Sequence, residues 1–191
     1  MKTKLFVLFV LIAHFSIGQE YQLAAENSTE LVIDGTSTLH GWTATAAQVD
    51  GVPTSVNVTE GTVHIDPFSI ETKVISLDGG RGPAMNGKIQ KALKADSDPT
   101  VIFNIQESLA ISLSDISEDG FPVKGSLSIG GITHDVEIVT TITQKDKTLM
   151  ISGKRDMKMS EFDIEAPSAM FGQIKTNDDI TIRFSIKYIT N

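Results

Sequence analysis

The sequence predicts an all-β protein: an antiparallel sheet closed or folded upon itself, with one inserted α-helix. The first observation behind this is the stretch from Val123 to Ile142, VKGSLSIGGITHDVEIVTTI, which alternates apolar and polar residues on either side of a glycine pair. Gly125, Leu127 and Ile129 share one face, and Ile132, His134, Val136, Ile138 and Ile142 share one face of the following run. Period-two alternation over this length describes antiparallel strands with one wet side. Gly130 and Gly131 suit the positive φ of a tight hairpin turn. The second observation is that strand-like runs follow one another closely along the whole chain, with a single helical stretch and no change of composition between regions. That spacing implies one sheet whose closure removes exposed edges.

The elements follow in order. Residues 1–18 read as a secretory signal: Lys2 and Lys4, an apolar run from Leu5 to Ile12, then Ser16 and Gly18 before Gln19. The run is too short to span a bilayer. Cleavage after Gly18 leaves 19–191 as a single exported domain, in the periplasm or secreted, large enough to bury a core. The chain has no cysteine, so it offers neither a disulfide framework nor a thiolate.

Short β-prone pieces come next, Glu30 to Asp34 and Thr36 to Ala47, with His40, Trp42, Ala44 and Ala46 on one face of the second. Val56 and Val58 differ in parity from Val63 and Ile65, and a turn or bulge at Glu60 and Gly61 restores the register. Pro67 ends or bends that strand. Asp78 to Gly82 is a glycine-rich turn. It leads into a helix from about Pro83 to Ala95, whose Met85, Ile89, Ala92 and Leu93 recur at helical spacing. Strands are then expected near Thr100–Gln106, Leu109–Ile116, Val123–Ile129, Ile132–Thr143, Thr148–Lys158 and Asp179–Ile189.

Charge excludes some partners. The chain carries 16 Lys and Arg against 24 Asp and Glu, for a net charge of −8. Two of those cations and none of the acids lie in the signal, so the mature net charge is about −10. Such a balance repels nucleic acid and disfavours electrostatic docking on anionic lipid.

Motifs for chemistry are sparse. GPAMNGK, from Gly82 to Lys88, has phosphate-loop spacing, but Ile89 stands where magnesium binding needs Ser or Thr, and no buried parallel strand precedes it. The mature histidines, His40, His64 and His134, lack the close spacing of paired metal ligands. No Gly-x-Ser-x-Gly elbow is present. His134 sits on the apolar parity of its strand, which leaves three readings open: a polar group bonded to backbone or water, a contact to a ligand headgroup, or a hydrolase working with a nearby acid. Met157 and Met159 continue the apolar parity of Leu149 and Ile151, with Phe162, Met170 and Phe171 soon after. Thioethers and rings of this kind suit an adaptable apolar cavity, and equally an ordinary core.

Four segments together resemble the YceI-like family of bacterial exported proteins. They are GTSTLHGW (Gly35 to Trp42), MNGKIQKALKADSDPTVIF (Met85 to Phe103), GSLSIGGITHDVEI (Gly125 to Ile138) and the carboxyl-terminal run from Met159 to Tyr188. The resemblance implies an extended antiparallel lipocalin-like β-barrel holding a long isoprenoid, a polyprenyl quinone or polyprenyl alcohol, without catalysis and without a cofactor. In the helical region the family commonly has Arg, Asp and His where this chain has Asn86, Lys88 and Gln90. Inward parity together with the resemblance gives an expected lining of Trp42, Ile89, Leu93, Phe103, Leu127, Val136, Met157, Phe162, Phe171 and Phe184, with His134 as the candidate headgroup contact. Two alternatives stand beside the carrier: a solid barrel serving as an interaction module, and the hydrolase using His134. A homodimer is compatible with any of them.

Overall fold

The computed structural model describes residues 18–25, 28–169 and 171–191. The expected signal, apart from Gly18, lies outside the described residues, as does Met170. The strands are β1 (Gln19–Leu23), β2 (Thr29–Ser37), β3 (Gly41–Ala46), β4 (Ser55–Thr59), β5 (Thr62–Ile65), β6 (Phe68–Lys73) and β7 (Leu77–Asp78), followed by the helix α1 (Pro83–Ala92). After the helix come β8 (Thr100–Ile105), β9 (Leu109–Ser112), β10 (Phe121–Ile129), β11 (Ile132–Lys145), β12 (Thr148–Lys158), β13 (Ser168–Ala169) and β14 (Ile174–Ile189).

The wall runs β7-β3-β2-β14-β12-β11-β10-β8-β6, with every neighbouring pair antiparallel. Past the end of β3, Asp50 exchanges backbone hydrogen bonds of 2.8 and 2.9 Å with Glu71 on β6, which joins the two flanks and curls the sheet into a barrel. Turn chemistry holds this arrangement where the sequence placed it. Gly130 and Gly131 take φ of 54° and 82° between β10 and β11, and Glu60 and Gly61 make the left-handed turn between β4 and β5.

A branch leaves the foot of β14. There β1 pairs with Tyr188 and Ile189, and β4, β5 and β9 follow it edge to edge. The branch folds over the lower barrel and buries Tyr21, Val56, Val58, Val63 and Ile65 against Ile142, Leu149, Ile151, Ile186 and Tyr188. Both tyrosines keep their hydroxyls bonded: the Gln144 amide donates to Tyr21, and Tyr188 donates to the Pro53 carbonyl at 3.0 Å. Burial pushes the Tyr188 phenol above its usual range.

Several boundaries differ from expectation, for local reasons. The helix ends at Ala92 rather than near Ala95, because Lys94 turns left-handed at φ 54°. The run Thr36–Ala47 is broken by a turn at 38–40, in which the Ser37 hydroxyl donates to the His40 carbonyl. Ile174–Ile189 starts five residues earlier than expected, because β13 folds back on its first residues. β9 gives way to a 3₁₀ turn at Leu113–Asp115.

The largest irregularity lies between β11 and β12. They pair only from Val139–Lys154 to Lys145–Thr148, and beyond that β11 pairs with β10 alone and β12 with β14 alone. The 3₁₀ turn Met159–Phe162 fills the opened seam with a fully buried Phe162, surrounded by Val136, Met157 and Ile164.

Candidate functional site

An apolar cavity of about 580 Å³ lies inside the barrel, within the roughly 300–1,000 Å³ usual for ligand sites. Its floor is the upper surface of the lower core, Ile142, Ile151 and Ile186, and α1 lies across its upper end with Met85, Ile89, Ala92 and Leu93 turned inward. The helix takes this position because Gly82, at φ 76°, releases the chain from the β7 turn and Pro83 starts the first turn without needing a donor. At the other end of the helix the Lys94 ammonium reaches the Gly130 carbonyl at the β10–β11 turn.

Three aromatic residues shape the wall, and each packs over a glycine. Trp42 covers its register partner Gly35, and Phe184 covers its register partner Gly153. A Cβ on Gly125 would come within 2.7 Å of the Phe103 ring. A glycine inside a strand leaves room for such close approach. Rings lying against the wall keep their area buried without filling the lumen, so this part of the barrel stays open.

Of the eleven residues expected to contact ligand, the structure brings six to the cavity: Trp42, Ile89, Leu93, Phe103, Leu127 and Phe184. The other five do not line it. Val136 and Met157 have the inward parity but, with Phe162, are buried in the plug formed by the Met159–Phe162 turn. His134 shares that parity and is exposed. Its ring stands edge-on to Phe162, with centroids 5.1 Å apart and planes at 75°, on the outer side of the plug. Phe171 projects into solvent from the β13–β14 turn, where it takes a left-handed φ of 54°. For Val136, Met157 and His134 parity named the face of the strand and the plug decided what that face meets, whereas Phe162 and Phe171 lie in turns, where strand parity does not apply.

Polar residues at the cavity escaped the sequence reading. Arg155 lines it from β12, donating to the Glu137 carbonyl at 3.0 Å and to the Glu161 carboxylate at 3.3 Å across the open seam. Its buried Nε has no partner among the described residues. The signal was present: Arg155 has the parity of Leu149, Ile151 and Met157. His40 and Arg81 stand at the upper rim. The His40 Nδ1 lies 2.7 Å from the Gly41 carbonyl, which only accepts, and its Nε2 lies 2.8 Å from an Arg81 Nη, which only donates. In that geometry the Nδ1–H donates to the carbonyl and Nε2 accepts from the guanidinium. Among the described residues no three His, Cys, Asp or Glu groups gather as metal ligands, and no helix is long and apolar enough to cross a membrane.

The arrangement is that of a curled antiparallel barrel enclosing one largely apolar chamber, with its polar groups at the rim and at one seam. The sequence pattern that defines the YceI-like domain matches residues 21–188, and the chain belongs to that family. Solved structures similar to it include Burkholderia cenocepacia BcnA, at 16% identity, covering 83% of this chain and 95% of that one with a TM-score of 0.63. A polyisoprenoid binding domain from Saccharophagus degradans, implicated in plant cell wall breakdown, is 12% identical and covers 90% and 98% with a TM-score of 0.57. The Campylobacter jejuni YceI protein is 14% identical, covering 78% and 84% with a TM-score of 0.56. At these identities the likeness is one of fold. No curated protein matches the sequence.

Proposed function

We propose that the chain is an exported, non-enzymatic carrier or storage protein that encloses a long isoprenoid, a polyprenyl quinone or polyprenyl alcohol, in this cavity. The observation that carries the reading is the chamber itself, walled by aliphatic side chains and by three rings lying over glycines. The described polyisoprenoid binding of the Saccharophagus domain supports the same ligand class.

The energetics agree. Enclosing a methylene contributes about 0.8 kcal/mol, so a five-carbon unit contributes about 3–4 kcal/mol when fully buried. Several units outweigh even an association cost of about 15 kcal/mol. Retention therefore needs little polar recognition. Export follows from the amino-terminal signal reading, and the mature protein is expected to begin at Gln19.

The test is to purify the protein from its own host, extract it with organic solvent and analyse both fractions by mass spectrometry. An isoprenoid in near-stoichiometric amount, on a chain beginning at Gln19, is the expected result. A clean extract, unchanged after incubation with candidate quinones, overturns the carrier reading and favours a module that recruits a partner protein.

A further inference from the structure

The rim of the cavity differs in charge from the rest of the molecule. Three segments build it: residues 35–42 at the β2–β3 turn, 79–95 through α1, and 166–169 with 171–177 around β13. Together they hold none of the chain's 24 acids and five of its cations, Arg81, Lys88, Lys91, Lys94 and Lys175. None of the four ion pairs among the described residues uses any of these five. Of the acids that bound the segments, Asp34 pairs with Arg183, Asp78 accepts from the Gly80 N–H and Asp178 from the Ser160 N–H and hydroxyl, while Asp96 and Glu165 stand just outside them and Asp98 lies near Lys94. A protein with a net charge of −8 therefore gathers cations around one opening, with acids only at the ends of the three segments.

The same surface carries exposed apolar side chains. The β2–β3 and β13–β14 turns run side by side past the end of the barrel, tied by the Thr38 N–H to the Lys175 carbonyl at 2.9 Å and by the Lys175 N–H to the Thr38 hydroxyl at 3.3 Å. Leu39, at the tip of the first, is 65% exposed, and Phe171, at the tip of the second, is fully exposed. Leu39 also lines the cavity, so the apolar surface continues from the projecting turns into the chamber.

We infer that this rim docks on an anionic lipid bilayer, with Leu39 and Phe171 entering the interface and Arg81, Lys88, Lys91 and Lys175 facing the lipid phosphates. Apolar side chains beside cations are what an interfacial anchor requires. The juxtaposition also answers a need of the carrier reading, on which this inference rests: an isoprenoid leaving a bilayer would pass from acyl chains to Leu39 and into the cavity without crossing water. Net charge argued against anionic membranes, but charge acts locally, within about 10 Å at moderate salt. Arg81, Lys88, Lys91 and Lys175 supply the local positive charge at the rim.

The test is flotation of the purified protein with vesicles of phosphatidylcholine alone and of phosphatidylcholine mixed with phosphatidylglycerol. Binding to the mixed vesicles, weakened by salt, is expected. Phe171→Ser is expected to lower it about tenfold, and Lys91→Glu about fivefold or more. Each variant should keep its circular dichroism spectrum and its uptake of a detergent-solubilised isoprenoid, because none of the changes alters the chamber walls.

Absence of vesicle binding, or binding indifferent to these substitutions, overturns the docking inference. Retained isoprenoid uptake in that case leaves the carrier reading standing. Vesicle binding that depends on these residues, in a protein that takes up no isoprenoid, supports docking while the carrier reading fails. Association with an acidic protein in place of either vesicle overturns it in favour of a protein partner.

Discussion

The two halves of the barrel use the same alternation of apolar residues and reach opposite outcomes. In the lower half, Tyr21, Val56, Val63, Leu149 and Tyr188 are almost wholly buried, because the β1-β4-β5-β9 branch folds over them and supplies a second apolar face. In the upper half no such sheet arrives. One helix crosses the opening, three rings lie back against glycines, and a chamber of about 580 Å³ remains. An inward-facing strand residue is thus no more than a candidate for either fate, and what decides is the segment that comes to cover it. Stability should reside below and ligand capacity above.

Substitutions that damage one half and spare the other would sharpen this division. The largest effect is expected from Leu149→Ala, at a fully buried position in the lower core. Removing a well-packed leucine side chain costs about 3–4 kcal/mol, including the cavity it leaves. Urea denaturation should show that loss, while isoprenoid occupancy per folded molecule stays near the wild-type value. A large fall in occupancy at unchanged stability would break the proposed separation.

The reverse case is Gly153→Ala. The new methyl group would overlap the Phe184 ring and lift it off the wall into the chamber. Open space receives the ring, but the methyl also comes within 3.1 Å of the Val139 carbonyl oxygen, so a stability loss of about 1 kcal/mol is expected, the low end for an added methyl group. Occupancy by a long isoprenoid should fall several-fold, measured by mass spectrometry of the extracted ligand. Equal occupancy in the variant and the wild type would show that the ring's resting place does not set the size of the chamber.

These positions also show how much the sequence disclosed. Alternation around Gly130–Gly131, the turn at Glu60–Gly61 and the helical spacing of Met85, Ile89 and Leu93 were enough for the fold, because each is a local pattern with a local cause. They also placed Trp42, Phe103, Leu127 and Phe184 on the inner face, where they line the cavity. Val136 and Met157 share that face and, with Phe162, belong to the plug instead. The splitting of β11 from β12 and its filling by residues 159–164 join chain segments about twenty-five residues apart, and no pattern within either strand reports it. Gly35, Gly125 and Gly153 were legible as strand glycines, but which ring lies on each depends on register across neighbouring strands. Arg155 was missed for a different reason: a charged residue on an apolar parity reads as a break in the pattern until its partners, the Glu137 carbonyl and Glu161, are seen.

The plug offers the smallest and most local test. Asp178 accepts from the Ser160 hydroxyl at 2.6 Å and from the Ser160 N–H at 2.8 Å, and so ties the Met159–Phe162 turn to β14. These bonds hold its carboxyl below the usual carboxylate range, with Lys158 adding a weaker push in the same direction. A carboxyl whose pKa is lower folded than unfolded stabilises the fold above its unfolded pKa, and the contribution fades as pH falls through the folded value. Acidification below the ordinary carboxylate range should therefore lower amide protection, taken relative to the intrinsic exchange rate at each pH, in residues 159–164 before it affects Tyr21 or Leu149 in the lower core. Asp178→Asn should remove part of that acid sensitivity, leaving protection in the turn lower at neutral pH and flatter with pH. If protection in the turn and in the lower core instead fell together, the plug would belong to the same cooperative unit as the packed half, and the upper barrel would owe its chamber to the rings alone.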